Sequence, residues 1–454
     1  MKLFGTDGIR ANSNSELLSE ESVYRIGYCF GVWAKEAGYK RVVVGKDTRE
    51  SSNSIEKWLV FAIKKAGLEA MLVGVMPTPA ISYICRELGS CGIMITASHN
   101  PFYDNGIKLF CKSGRKTNAS EEEAVEKLYF EMMREKQKHN YFNSKGFTTN
   151  PYEGETAHYE DLRDLYLLSL EKMADFKIKK RIVLDCANGA NSLIAKGILE
   201  KVANSLKVIN ATPNGQNINY NCGAMHPEIL SKNVLLENAD IGIAFDGDAD
   251  RIVFCDELGE IIDGDHYIGF LAQNIMPKEV VYTDYSNLAL DSFLSTNGIR
   301  CIRVQNGDKF VSDELSKRGL PFGGEKSGHY IFKEFGDSGD GLLSAMRLLR
   351  FLSDLNEPIS KIRQFELYPQ AIVSLEVEDK RDFSEMSGLD EMLKVAKSML
   401  GKDSRVNIRY SGTEMKIRVL VEGKDQEKCN KSANEIAEFI KDANMFQAKS
   451  EKIK

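Results

Sequence analysis

Between residues 41 and 304 the sequence alternates short β-branched runs with stretches of helical apolar spacing, and this alternation restricts the fold more than any other feature. Residues 41–45 form a β-branched run ending in glycine, and 54–66 carry helical spacing. Residues 70–75 are strand-like, and Met76-Pro77-Thr78-Pro79 breaks the chain before another helix. Residues 91–95 form a second apolar strand that runs directly into Thr96-Ala97-Ser98-His99-Asn100-Pro101. Such β-α-β-α-β order implies a parallel or mixed sheet covered by helices. The same grammar returns at 181–185, 206–210 and 241–245, and again at 252–255, 280–283 and 301–304. After Glu357-Pro358 it changes: 371–377 and 406–409 alternate, 416–421 is a strand, and helices are expected at 389–400 and 426–440. The first three units share this grammar without any repeat at the level of sequence identity.

A chain of 454 residues suggests about three domains. The pattern gives four, because the last unit is small: 1–150, 151–251 and 252–365 as α/β domains, and 366–454 as an α+β domain. Residues 121–138 read as a charged amphipathic helix with a solvated face, and the polar stretch 139–156 as a domain boundary.

Composition excludes several classes. Hydrophobic residues make up 43% and charged residues 28%, the balance of an ordinary globular protein. No apolar run reaches the length of a membrane helix, and residues 1–10 lack the apolar core of a signal peptide. Sixty Lys+Arg stand against 66 Asp+Glu, for a net charge of -6, which argues against a general nucleic-acid binder. Nine cysteines without a CxxC pair read as reduced thiols of a cytoplasmic protein.

Four loops carry the chemistry, one per unit. In Asp246-Gly247-Asp248-Ala249-Asp250-Arg251, carboxylates at i, i+2 and i+4 can converge on one hard cation. A plain acidic turn is a rival reading, though three such carboxylates repel. An EF-hand is another, since Glu257 falls at loop position twelve, but Arg251 stands where that loop needs glycine and the flanks read as strands. A divalent site at a strand end is the better account, with Mg²⁺ the expected ion because a phosphate can complete its shell. Ser98 lies just past a strand, at the sheet edge where open α/β folds bind ligands. It lacks the Gly-x-Ser-x-Gly elbow of an esterase, and His99 beside it is expected to point elsewhere. A phosphoryl-carrying serine and a plain turn serine both remain open. The loop 323–329 offers Glu325, Ser327 and His329 between glycines, a mix suited to sugar hydroxyls or an amine. The loop 409–414 with Arg418 joins guanidinium groups to hydroxyls and backbone N–H groups, a phosphate grip without a Walker motif. One polar loop from each unit implies a shared cleft.

These loops, in order over nearly the whole chain and joined by Phe4-Gly5-Thr6-Asp7-Gly8-Ile9-Arg10, resemble the α-D-phosphohexomutase superfamily, and specifically its glucosamine-phosphate branch. The branch resemblance rests on 98–108, on 217–223 with His226-Pro227-Glu228, and on Gly339-Asp340-Gly341. The resemblance implies four domains around a central cleft, the last related to the TATA-binding-protein-like fold. It implies a phosphoserine at Ser98 and one Mg²⁺ per subunit, held by Asp246, Asp248, Asp250 and a phosphate oxygen on Ser98. Arg10 and Lys108 are implied as charge support around the serine, with Lys108 also a candidate general base and His99 shaping the loop. Arg251, Lys309, Glu325, Ser327, His329, Arg409, Ser411, Gly412, Thr413 and Arg418 are implied as substrate contacts. The implied reaction interconverts glucosamine 6-phosphate and glucosamine 1-phosphate through a 1,6-bisphosphate that also serves as activator, and supplies UDP-N-acetylglucosamine for cell-wall synthesis. Rival readings are a glucose or mannose phosphate mutase of the same superfamily, and a non-catalytic sugar-phosphate sensor. The expected partner is a phosphosugar, with no nucleic acid or membrane, on a monomer or homodimer. Ala249 departs from the superfamily's usual glycine, so its backbone is expected to avoid the left-handed region. Ala11 stands for glycine, Met415 for proline, and Lys309 for arginine. A mildly acidic whole is compatible with an anionic ligand if Arg10, Lys108, Arg251, Arg409 and Arg418 dominate the cleft locally.

Overall fold

The computed structural model describes residues 2–5, 7–138, 159–355, 357–377, 380, 382–410 and 415–451. The expected boundary stretch 139–156 lies outside the described residues. The chain packs as two units, Met1–Tyr285 with Arg300–Arg363, and Ser286–Ile299 with Gln364–Lys454.

The larger unit holds three sheets. The first contains β1 (Ile9–Asn12), β2 (Arg41–Lys46), β3 (Glu69–Val75), β4 (Cys91–Ile95) and β5 (Asp104–Phe110) in the order β1-β5-β4-β2-β3. Strands β2, β3 and β4 are parallel, and β5 returns antiparallel to β4. Val42, Val43 and Val44 of β2 are fully buried, as a central strand covered on both faces requires. Each such side chain contributes about 1.5–3 kcal/mol on burial. The flanking helix Thr78–Leu88 carries Pro79 in its first turn, where no N–H is needed, and stops at Gly89 with φ +59°.

The second sheet contains β6 (Ile178–Asp185), β7 (Ala203–Ile209), β8 (Ile241–Phe245), β9 (Ile252–Asp256) and β10 (Ile261–Ile262), ordered β10-β9-β8-β6-β7. The expected boundary between 251 and 252 is therefore corrected. Strand β9 pairs antiparallel with β8 from Phe245↔Ile252 to Ile241↔Asp256, so it closes the second domain instead of opening the third. The acidic turn is tight enough to reverse the chain, and a reversal looks like a unit boundary when only alternation is counted.

The third sheet contains β11 (Glu279–Thr283), β12 (Arg300–Val304), β13 (Phe322–Gly324) and β14 (Tyr330–Phe332), ordered β12-β11-β13-β14. All three sheets follow one plan: two parallel neighbours, a third parallel strand, then an antiparallel return. The serine loop (β4 to β5), the acidic loop (β8 to β9) and the loop 325–329 (β13 to β14) thus occupy the same topological position in three domains. The repeat absent from the residues is present in the connections.

The smaller unit contains β15 (Gln370–Glu376), β16 (Arg405–Tyr410) and β17 (Lys416–Glu422) in an antiparallel sheet ordered β15-β17-β16. Helices Leu389–Leu400 and Gln426–Glu451 accompany it. The segment Ser286–Ile299 also packs in this unit, so the expected third domain, 252–365, is not one compact piece. Tyr368 N–H donates to Asn287 Oδ1 at 2.9 Å, and Leu288 N–H donates to Glu422 Oε1 at 3.1 Å. Among the described residues no helix is long and apolar enough to cross a membrane. All nine cysteines are free thiols.

Candidate active site

Strand β4 ends at Ile95, and Ser98 follows with φ +51°, a backbone region that non-glycine residues seldom adopt. The turn is held from several sides. Ser98 N–H donates to Thr96 Oγ1 at 2.8 Å, and Thr96 Oγ1 donates to Asp47 Oδ2 at 2.7 Å. Arg49, fully buried, donates to the carbonyls of Ser98 at 2.9 Å, Asn100 at 2.8 Å and Asp104 at 2.9 Å, and also to that of Pro101. From the second domain, Asn219 Nδ2 donates to the carbonyls of Ser98 (2.8 Å) and Asn100 (3.0 Å). Asp47, Arg49 and Asn219 carried no role in the sequence reading. Their signal was positional, because Asp47 and Arg49 follow the carboxyl end of β2, beside the ligand edge of the sheet.

The hydroxyl of Ser98 donates to Asp246 Oδ2 at 2.8 Å. Asp246, Asp248 and Asp250 are buried, and one oxygen from each lies within 4.8 Å of the others. Gly247 is required here, since a Cβ would stand 2.6 Å from the Ser98 carbonyl oxygen. Burial, then the charges of Asp250 and Asp248, push the Asp246 carboxyl well above the usual carboxylate range. Asp248 Oδ1 and Asp250 Oδ1 are buried and accept no hydrogen bond. Three converging carboxylates with two unsatisfied oxygens fit a hard divalent cation.

Ala249 lies in the left-handed region, with φ +56°, and is fully buried. The expectation that alanine would avoid that conformation is therefore corrected. The close packing of the two loops fixes the turn whichever residue fills it. An alanine there costs about 1–2 kcal/mol relative to ordinary backbone. Ala249→Gly is expected to raise the thermal unfolding midpoint by about 2 °C in calorimetry, less what glycine loses in backbone entropy.

Lys108, on β5 and buried, donates to Asp248 Oδ2 at 2.8 Å and Asp250 Oδ2 at 3.0 Å. Its Nζ is 3.2 Å from Asp7 Oδ2. Burial opposes its charge, but Asp248, Asp250 and Asp7 together hold its pKa well above the ordinary lysine value. Arg10 pairs with Asp7. The hydroxyl of Thr78 donates to Asp248 Oδ2. His99 Nδ1 lies 3.4 Å from Ser98 Oγ, so the left-handed turn brings neighbours together that an extended loop would separate. Burial, followed by the charges of Arg251 and Arg10, lowers the His99 pKa to about 4, which keeps the imidazole neutral at pH 7. Arg251 N–H lies 3.3 Å from Asp246 Oδ1, donating to it.

In the third domain, Glu325 Oε1 accepts from Gly307 N–H at 3.1 Å, and Ser327 is exposed. His329 is buried and accepts from Gly339 N–H at Nε2, 2.9 Å away, which leaves Nδ1 to face Asp250 Oδ2 at 3.9 Å. Lys309 Nζ lies 3.5 Å from Glu122 Oε1. Within the smaller unit, Arg409 and Arg418 are direct cross-strand partners. Burial, then the charge of Arg418, lowers the Arg409 pKa. Two guanidinium groups at one register position are a pair that an anionic phosphate can bridge. Ser411, Gly412 and Thr413 lie outside the described residues.

Sequence models of the family described as phosphoglucomutase/phosphomannomutase match the chain in four parts. These are α/β/α domain I at residues 1–136, domain II at 162–259, domain III at 263–368 and the C-terminal domain at 373–439. The chain is 39% identical to a phosphoglucosamine mutase of Aliarcobacter butzleri, over 98% of this chain and 100% of that one. It is 40% identical to a phosphoglucosamine mutase of Nautilia profundicola, over 97% and 99%. Its fold is similar to that of a phosphoglucomutase/phosphomannomutase family protein from Burkholderia thailandensis (TM-score 0.79, 22% identity, 97% of both chains). It is also similar to the Aspergillus fumigatus N-acetylphosphoglucosamine mutase solved with GlcNAc-6P and magnesium (TM-score 0.67, 18% identity, 98% of this chain and 96% of that one).

Proposed function

The chain belongs to the phosphoglucomutase/phosphomannomutase family of phosphohexomutases, and we propose that it interconverts glucosamine 6-phosphate and glucosamine 1-phosphate through a phosphorylated Ser98. The observation that carries the reading is the Ser98 hydroxyl, 2.8 Å from a carboxylate of a buried three-aspartate cluster. The glucosamine preference is supported by the names of the near relatives.

In the forward direction the bond from phosphorus to Ser98 Oγ breaks as a bond to the free sugar hydroxyl forms, giving a 1,6-bisphosphate. After the intermediate turns over, the bond to the other sugar oxygen breaks and Ser98 regains a phosphoryl group. Such transfer depends on positioning and on stabilising charge on the moving oxygens. Asp246, Asp248, Asp250 and a phosphate oxygen on Ser98 would hold Mg²⁺, which supplies Lewis-acid stabilisation of that charge. Lys108, within hydrogen-bond distance of Asp248 and Asp250, is read as charge support around the serine and as the candidate general base for the attacking hydroxyl. The proton of the attacking hydroxyl ends on the oxygen that leaves, and neutral His99, 3.4 Å from Ser98 Oγ, is placed to accept the serine proton when Ser98 takes a phosphoryl group back. Arg10 adds charge on the serine side. Arg251, Glu325, Ser327, His329 and Lys309 are read as sugar and phosphate contacts. Arg409 and Arg418, with Ser411, Gly412 and Thr413, are read as the clamp for the phosphate that is not being transferred. Hexose 1,6-bisphosphate serves as activator. The protein acts in the cytoplasm as a monomer or homodimer, on a phosphosugar rather than a nucleic acid or membrane.

The test uses purified protein, Mg²⁺ and a trace of hexose 1,6-bisphosphate, comparing kcat/KM for the 6-phosphates of glucosamine, glucose and mannose. Glucosamine 6-phosphate is expected to lead by about tenfold or more. A lead for glucose or mannose would overturn the substrate assignment. Binding without turnover would reduce the protein to a sensor.

A further inference from the structure

We propose that Lys116 is a positioning residue for phosphoryl transfer, holding Lys108 and His329 in register from outside the reacting groups. The inference rests on the mutase reading above. Lys116 follows β5 after a short reversal and forms an isolated bridge back to Phe110. Its side chain is 12% exposed, and its Nζ donates to Asp308 Oδ2 at 2.6 Å and to Asp7 Oδ1. Each of these carboxylates then reaches a group of the site. Asp7 Oδ2 lies 3.2 Å from Lys108 Nζ, and Asp308 Oδ2 lies 3.5 Å from His329 Nε2. Lys108 and His329 both face Asp250 Oδ2, at 3.0 Å and 3.9 Å. Asp250, Lys108, Asp7, Lys116 and Asp308 therefore form a chain of ion pairs across three domains, with His329 lying between its two ends at 3.5 Å from Asp308 and 3.9 Å from Asp250.

Lys116 pairs with neither Asp248 nor Asp250, and it neutralises two carboxylates that otherwise compete for the site's own groups. Without it, Asp7 retains Lys108 and Arg10 as its cations, and its pull on Lys108 away from Asp248 and Asp250 strengthens. Asp308 loses the cation that balances its charge beside His329. Both effects displace groups that border Asp250, while no side chain read as a substrate contact is itself replaced. The cost should therefore fall on kcat rather than KM, because misplacement of about 1 Å near a reacting group costs on the order of 100-fold in rate.

Steady-state kinetics on glucosamine 6-phosphate compares wild type with Lys116→Met, Lys116→Arg, Asp308→Asn and the Met/Asn double variant, alongside thermal unfolding of each. Lys116→Met is expected to lower kcat by about 10- to 100-fold while KM changes less than about threefold. Lys116→Arg should recover most of the rate, and the double variant should be no worse than the poorer single one, since both break one link. Wild-type kcat in Lys116→Met would overturn the proposal. So would a loss that Lys116→Arg fails to recover and that tracks the unfolding midpoint, which marks a merely structural residue. If Lys116→Met does not fold, Asp308→Asn decides by the same split. Failure of wild type to turn over glucosamine 6-phosphate would strike the mutase reading instead, so the two failures are distinct.

Discussion

Ser98→Ala is expected to lower kcat by about four orders of magnitude or more, the scale seen when a covalent nucleophile is removed. Among the described residues two hydroxyls donate to the aspartate cluster, so the result discriminates between them. Ser98 Oγ donates to Asp246, and Thr78 Oγ1 donates to Asp248. Thr78 opens a helix, and both its side chain and its N–H are engaged with Asp248. Ser98 lies in a strained turn that four Arg49 contacts and Asn219 hold in place, the setting expected of a group whose position matters to chemistry. Intact mass after incubation with hexose 1,6-bisphosphate should rise by one phosphoryl group in wild type and stay fixed in Ser98→Ala. A Ser98→Ala protein that kept its activity and still gained the mass would transfer the role to Thr78.

The second large effect is expected at Asp246. Asp246→Asn keeps the shape and removes one of three crowded charges. Asp246 accepts from the Ser98 hydroxyl and the Arg251 N–H, and neither contact brings a full positive charge within hydrogen-bond distance. Lys108 instead compensates Asp248 and Asp250. The metal-free variant should therefore unfold at or above the wild-type temperature, since a buried charge crowded by Asp250 and Asp248 and only partly offset by Arg251 has gone. The Mg²⁺-dependent rise in the unfolding midpoint should shrink sharply, and kcat should fall by about three orders of magnitude. An Asp246→Asn protein that bound Mg²⁺ as wild type does would remove this carboxylate from the ligand set. A metal-free protein much less stable than wild type would mean that Asp246 is instead stabilised by charges not accounted for.

What the sequence disclosed followed the range of the interactions. Strands β2, β4 and β8 were legible because full burial on both faces demands unbroken apolar runs. The serine and acidic loops were legible because their spacing is local. Strand β5 was not, since Asn105, Gly106 and Lys108 interrupt the apolar pattern, and Lys108 sits buried there because three carboxylates from elsewhere in the chain neutralise it. Lys116 was invisible for the same reason: its partners Asp7 and Asp308 are distant in sequence, and a single lysine in a turn normally reads as surface. Arg49 had a weak positional signal, but nothing in its neighbours announced that it would be fully buried. Ala249 shows the opposite error, in which a sound residue-level rule was overridden by loop packing.

The helix Leu288–Thr296 has a consequence for how this chain matures. It lies between β11 and β12 in sequence, yet it packs in the unit that also holds β15, β16 and β17. Asn287 bonds Tyr368 in both directions, Leu288 bonds Glu422, and Phe293 meets Phe365 with the rings tilted and their centroids 4.7 Å apart. On the ribosome this helix emerges roughly ten seconds before Glu422 is made, at about 10 residues per second. For that interval Asn287, Leu288 and Phe293 wait for Tyr368, Glu422 and Phe365, while the strands on either side of the helix in sequence are already made. The newborn chain thus carries this helix for some seconds before the strand that completes its unit is made, at about 10 residues per second.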